Sequence, residues 1–255
     1  MMLLVHWLKR VLLGAAMLYP LSYVLLACKR MVYPYELEWM EGASVDHMRK
    51  VLAGEILYTS PSIDFIPYMY TPLYYYISAL FALFLEGGFF PLRLVSFAGS
   101  LGCLFLIFQF VRRESDSMYC AVLSACLFAA TYRISGAWFD LARVDSLFLF
   151  FLLLSVYLLR FQRGVLSLVA AGACAAMAYL SKQTALPIAL PMVVYSLLVL
   201  QGWRKLVFTL TALVLTGLVV AVWDQWSDGW YLFHTWQLPR QLTHIRQGHH
   251  LADFW

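Results

Sequence analysis

The sequence is short of charge. Asp, Glu, Lys and Arg make up 13% of its 255 residues, against about 25% in an ordinary soluble domain. Hydrophobic residues reach 63% and mean hydropathy is +0.75. So few polar side chains cannot coat a water-soluble globule, and the same deficit excludes a disordered or collagen-like chain. Strict apolar–polar alternation in segments of about ten residues is also missing, which excludes a transmembrane β-barrel. There is no basic stripe. The net charge of +4 is spread over short connections, and no nucleic-acid partner is expected. Cysteines at metal-ligand spacing are absent. Of Cys28, Cys103, Cys120, Cys126 and Cys174, four lie in apolar runs and read as small hydrophobes, with no disulfide and no zinc site. No internal repeat of fixed period is visible.

What is present is a series of apolar runs at 11–27, 71–86, 91–111, 118–135, 144–160, 165–181, 184–201 and 206–223. A helical span takes about 20 apolar residues, so the fold class is all-α, a polytopic transmembrane helical bundle. Met1–Ala27 resembles a signal peptide, and Leu25-Leu26-Ala27-Cys28 hints at a lipoprotein cleavage site. Leu26 suits that site poorly and Lys29-Arg30 follow at once, so the segment reads as an uncleaved first span. Lys9-Arg10, Arg112-Arg113, Arg160/Arg163 and Arg204-Lys205 mark one side as cytoplasmic. The acids Glu36, Glu38, Glu41, Asp46, Glu55 and Asp64 gather in the long connection 28–70, which reads as external. Asp140 and Asp145 flank another external loop, and Asp224, Asp228 and Asp253 fall in the tail. An external 28–70 and an internal Arg112-Arg113 allow only an odd number of crossings between them. The short run 71–86 is therefore expected to lie along or re-enter the membrane, leaving about seven crossings and a cytoplasmic amino terminus; the rival reading is that 71–86 and 91–111 both cross and the cation rule fails downstream. Residues 1–223 form the membrane module and 224–255 an external tail. The chain is an integral, multi-pass membrane protein, expected in a bacterial inner (plasma) membrane.

Local signals set expected boundaries. Thr71-Pro72 reads as an N-cap followed by a first-turn proline, and Gly87-Gly88 as the end of that helix. Pro187 and Pro191 should kink or interrupt the run 184–201. Trp223, Trp226, Trp230 and Trp236 have the composition of an interfacial aromatic belt.

In the connection 28–70, Val45, Met48, Val51, Leu52 and Leu57 form an apolar stripe at helical spacing. Glu41, Ser44, His47 and Lys50 run down another face, and Gly54 suits a helix end. Residues 41–53 therefore predict an amphipathic helix lying on the outer membrane surface. Glu38 and Glu41 stand one turn apart. They read either as first-turn acids stabilised by the helix dipole or as an acid cluster that takes a proton from a substrate hydroxyl. In FDLARVDS, Asp140 and Arg143 are spaced to pair and Asp145 to cap a helix. Lys182, in YLSKQTALP, reads either as a snorkelling interfacial lysine or as a cation for a phosphate.

Four segments then give a resemblance. They are ELEWMEGASVDHMRKVLAGEILY after the first span, FIPYMYTPLYYYISAL, RVDSLFLFFLLL and YLSKQTAL. In this order and spacing the chain resembles the GT-C superfamily of polyprenyl-phosphate-sugar-dependent glycosyltransferases, in the branch of protein O-mannosyltransferases and lipid A aminoarabinose transferases. The resemblance implies seven amino-terminal membrane helices. It also implies inverting sugar transfer from an undecaprenyl- or dolichyl-phosphate carrier to a lipid, glycan or protein acceptor. A loop carboxylate would act as general base, here Glu38 or Glu41. The family usually shows Asp-Glu at this point, and this chain has Glu-Trp-Met-Glu. Asp145 and Lys182 match the middle-span acid and the lysine near the donor phosphate. Asp46, Asp140 and Arg143 join them as candidate substrate-binding residues. No cofactor is required, and a divalent metal is compatible with so many carboxylates although no spacing demands one. Family enzymes continue with further spans, whereas this chain ends in the loop after the seventh helix, where His244, His249 and His250 lack metal spacing. The tail is therefore expected to be truncated. The rival functions are a transporter or flippase for a lipid-linked sugar, which would need a repeat or charges deep within spans, and a non-catalytic membrane scaffold.

Overall fold

The computed structural model describes residues 2–85, 87–162 and 164–241. Arg163, His244, His249, His250 and Asp253 lie outside the described residues. The fold is an all-α membrane helical bundle. Its helices are α1 (Met2–Met31), α2 (Glu41–Leu52), α3 (Leu73–Ala82), α4 (Phe89–Ser115), α5 (Met118–Ala130), α6 (Asp145–Phe161), α7 (Val165–Ser181), α8 (Ala185–Val199), α9 (Arg204–Trp226) and the short α10 (Trp230–Leu232), which runs into a π-helical turn, Phe233–Gln237. Each apolar run has become one helix. By length and composition α1, α4 and α9 are each sufficient to cross a bilayer.

Neighbouring helices follow the order α1, α5, α4, α6, α7, α9, α8. The contacts at their ends show that in chain order these seven alternate in direction, so that the spatial neighbours α1 and α5, α4 and α6, and α7 and α9 run parallel. At one end Lys9 of α1 lies over the Tyr119 ring of α5, Arg160 of α6 pairs with Glu114 of α4 at 2.6 Å, and Arg160 also reaches Tyr195 of α8. At the other end the last turn of α1, the start of α4, the start of α6 and the end of α7 come together, as the next subsection details. The ten residues of α3 span about 15 Å, half the thickness of a hydrocarbon core. This is the run expected not to cross, and α3 packs instead among α2, α4 and α7.

Two local expectations change. Thr71 does not cap α3, because its hydroxyl donates to the Tyr179 carbonyl at 2.7 Å and so ties α3 to the end of α7. The prolines do not interrupt α8. Pro187 falls in its first turn, where the amide hydrogen has no helical acceptor to lose, and the helix continues through Pro191. The connection 131–144 turns through Gly136 and Ala137, both at positive φ. It then carries Asp140, Leu141 and Ala142 into the interior.

Small residues let the helices approach. A Cβ on Gly99 of α4 would lie 3.0 Å from the backbone of Ser146 in α6. One on Gly172 of α7 would lie 2.7 Å from Thr211 Cβ and 2.8 Å from the Phe208 carbonyl of α9. Close backbone approach of this kind drives helix association where lipid removes the hydrophobic incentive. Gly217 of α9 has open space around it. Gly172→Val is therefore expected to destabilise the bundle by about 1–3 kcal/mol, while Gly217→Ala leaves it unchanged or slightly stabilised. Thermal unfolding of the two variants in detergent checks the contrast.

Candidate functional site

A buried ion pair organises the end of the bundle where α1, α4, α6 and α7 meet. Glu41 is the first residue of α2 and Arg93 lies in the second turn of α4; neither has any exposed side-chain surface. Arg93 Nε and Nη2 donate to Glu41 Oε1 and Oε2 at 2.9 and 2.6 Å. The remaining guanidinium hydrogens go to the carbonyls of Arg30, Tyr33 and Tyr35 at 2.9, 2.5 and 2.8 Å. Glu41 in turn accepts the Ala142 amide on Oε1 at 2.8 Å and the Leu37 amide on Oε2 at 2.7 Å. All five donors of the arginine and four acceptor sites of the carboxylate are thus engaged. Burial pushes the Glu41 pKa up, but the bonds from Arg93, Ala142 and Leu37 outweigh it and hold the carboxyl below its ordinary range.

Beside this pair runs a chain of partly exposed charges. Glu38 Oε1 accepts from Arg143 Nη1 at 3.1 Å, and Glu38 Oε2 accepts the Met40 amide at 3.0 Å. Arg143 Nε donates to Asp145 Oδ2 at 3.1 Å, and Lys182 Nζ donates to Asp145 Oδ1 at 2.6 Å. Side-chain exposures of 16% for Glu38, 7% for Arg143, 22% for Asp145 and 20% for Lys182 leave the chain open to solvent on one side. Aromatic rings flank the cations: Arg143 lies 4.0 Å from the Trp138 centroid and Lys182 5.5 Å from that of Tyr70. The acids of the first long connection and a lysine some 140 positions later therefore meet at one end of the bundle, although no two of the four residues share a helix.

Other candidates lie apart. Asp140 does not pair with Arg143. It accepts instead from Arg30 at 3.2 Å and from the Tyr132 hydroxyl at 2.9 Å, because the connection 131–144 turns its carboxylate toward α1. Its Oδ2 is buried with no partner, and burial raises its pKa to about 6. Asp145 is the first residue of α6 rather than its cap. Asp46 stands on the outer face of α2, well exposed and 3.6 Å from Arg49. It lines a cleft of about 880 Å³ between α2, the end of α1 and the start of α4, with Glu36, Arg49 and Phe89.

The polar face of α2 turns inward as well as the apolar stripe. Ser44 and His47 are buried together with Val45 and Met48. His47 Nδ1 faces the Ala43 carbonyl at 2.6 Å and Nε2 accepts the Tyr68 amide at 2.8 Å, an arrangement that needs a neutral ring. Burial lowers the His47 pKa to about 4. Arg93, Arg30 and Trp138 went unnoticed in the sequence. The available signal for Arg93 was its place as an ionisable residue inside the apolar run 91–111. Among the described residues no three His, Cys, Asp or Glu side chains group closely enough to hold a metal ion.

The family model for dolichyl-phosphate-mannose-protein mannosyltransferases matches residues 69–226, more than half of the chain. The match includes Arg93, Arg143, Asp145 and Lys182, while Glu38 and Glu41 precede it. No curated protein and no solved structure matches the chain.

Two outcomes follow from this geometry. Glu41→Leu leaves the Arg93 charge buried without its counter-ion and should cost about 3–5 kcal/mol, read as a large loss of folded protein in detergent unfolding. His47 binds its proton more weakly in the folded state than in the unfolded state. Its contribution is therefore full above pH 6.5 and is lost as pH falls toward 4, about 3 kcal/mol in all. Asp140 has the opposite sign: its raised pKa favours the folded state at low pH and ceases to do so as pH rises from 3.8 to about 6. Thermal stability of Asp140→Asn should consequently fall more steeply between pH 6.5 and 4 than that of the parent chain.

Proposed function

The chain belongs to the dolichyl-phosphate-mannose-protein mannosyltransferase family, within the GT-C superfamily of membrane glycosyltransferases, and from that premise we propose that it transfers a sugar from a polyprenyl-phosphate carrier to an acceptor hydroxyl at the external face of the membrane. The observation that carries the reading is the bonded chain Glu38–Arg143–Asp145–Lys182, which brings a carboxylate and two cations to one partly exposed surface.

The division of labour follows from the free valences. A general base needs a lone pair that a hydroxyl proton can reach. Glu41 has none to offer, since four donors engage its carboxylate inside the protein. Glu38 is partly exposed and accepts two bonds, so the base is assigned to Glu38 and Glu41 becomes its positioning residue. As the acceptor oxygen bonds to the anomeric carbon, its proton passes to Glu38. The bond from that carbon to the phosphate oxygen breaks with its electron pair, leaving charge on the phosphate. Lys182 and Arg143 neutralise that charge, the role in which fixed cations are worth most. Asp145 holds the two cations by one oxygen each and keeps them oriented before the donor arrives.

The orientation proposed is amino terminus inside and site outside. Lys9, Arg112, Arg113 and Arg160 stand at the end of the bundle opposite the site, as the positive-inside rule requires. A bacterial inner membrane is the proposed location.

Purified full-length chain, reconstituted with a polyprenyl-phosphate-linked sugar and an acceptor, tests the proposal. Glu38→Gln should lower turnover by about 10²–10⁴-fold while binding of polyprenyl phosphate persists. Lys182→Met should weaken both. Full turnover in Glu38→Gln at equal protein level would remove the general-base assignment.

A further inference from the structure

A small, partly open cavity adjoins the charged chain. It is lined by Met40, Ser44, Tyr70, Tyr75, Arg143 and Asp145, and its volume of about 10 Å³ is room for one water-sized atom. Tyr75, on the first turn of α3, is 1% exposed, and its hydroxyl has no hydrogen-bond partner. The ring is held by aromatic neighbours, His47 tilted at 4.9 Å and Tyr74 edge-on at 5.7 Å, so packing alone would be served equally by phenylalanine.

The other groups around the cavity leave that hydroxyl unbonded. Both Asp145 oxygens are engaged by Lys182 and Arg143. Ser44 donates to the Met40 carbonyl. Arg143 uses Nε and Nη1 for its bonds to Asp145, Glu38 and the Met40 sulfur, and Nη2 makes none. A buried hydroxyl without a partner and a guanidinium with spare hydrogens thus border the same atom-sized space. Leaving a buried donor unsatisfied destabilises a fold. The missing acceptor, beside a cation and small enough for this space, has the character of an anionic oxygen.

We propose that Tyr75 is a donor-binding residue whose hydroxyl hydrogen-bonds a phosphate oxygen of the lipid-linked sugar held by Arg143 and Lys182. The inference rests on the sugar-transfer reading above. It adds to it a neutral donor from α3 that contacts the phosphate and costs stability when the site is empty.

Binding to the full chain in detergent tests this apart from turnover, with polyprenyl monophosphate as probe and the ligand-induced rise in melting temperature as readout. Tyr75→Phe without ligand is expected to melt at the same temperature as the parent or higher. Its apparent Kd for polyprenyl phosphate should be about tenfold weaker, the effect of one hydrogen bond lost in a dry site. Lys182→Met should abolish the shift. If Tyr75→Phe melts lower than the parent, the hydroxyl has a structural role and the proposal fails. If Tyr75→Phe binds as the parent does while Lys182→Met does not, the proposal fails and the phosphate site stands. If inorganic phosphate alone shifts the parent as much as the lipid does, the cavity serves free phosphate and its assignment to the lipid-linked donor is overturned. If the parent binds no polyprenyl phosphate, the sugar-transfer reading falls and this proposal with it.

Discussion

Burying a charge demands that every lone pair and hydrogen on it be matched, and the Glu41–Arg93 pair meets that demand by drawing four regions of the chain together. Arg93 grips the carbonyls of Arg30, Tyr33 and Tyr35. Glu41 grips the amides of Leu37 and Ala142. The exit of α1, the connection to α2, the start of α4 and the approach to α6 are therefore fixed by one contact. Glu38 lies one residue beyond the Leu37 amide, and Arg143 one residue beyond the Ala142 amide. The carboxylate and the guanidinium of the charged chain are consequently placed by the pair although neither side chain bonds to it; the Glu38 carbonyl itself accepts the Glu41 amide at 3.0 Å. Replacing the pair by apolar residues of similar size would not reproduce this, because three carbonyls and two amides would be left inside without partners.

Exposure separates the two sets of charges. The inner pair is closed to solvent, whereas Glu38, Asp145 and Lys182 each retain about a fifth of their side-chain surface. Closed charges with complete bonding are poor reactants and good scaffolding. Half-open charges with spare valences can exchange partners. Asp145 is the clearest case, since its two oxygens hold two cations that an incoming anion could engage in its place. The aromatic faces of Trp138 and Tyr70 against those cations hold them in position while the partner changes.

The helices were legible because a membrane imposes long apolar runs, and every run in the sequence became one helix. The shortness of α3 was legible in part, since an acidic and a basic connection of fixed side would leave room for one span between them. The polar interior was not. The face Glu41, Ser44, His47 looked solvent-facing because periodicity separates polar from apolar positions and cannot tell which polar positions have partners inside. Arg93 supplies one such partner, and the Tyr68 amide another. Asp140 and Arg143 were spaced to pair, but the positive φ at Gly136 and Ala137 turns the connection so that each meets a partner distant in sequence. Pairing across more than a hundred residues leaves no periodic trace.

The location of the site at the rim of the bundle follows from helix ends. Ionisable groups are least costly where a span meets water, and the terminal turns of helices carry partial charges that select their sign. Asp145 opens α6 and Glu41 opens α2, carboxylates at the positive ends. Lys182 closes α7 and Arg30 lies in the last turn of α1, cations at the negative ends. Four of the charged groups thus sit where their own helix favours them. Arg93 is the exception: it lies near the positive end of α4, where the helix gives a cation no support. Its stability there depends on Glu41 and on the carbonyls of residues 30, 33 and 35. That dependence is what makes the connection after α1 fold back against α4 rather than extend over the membrane surface, and it is this return that sets Glu38 beside Arg143.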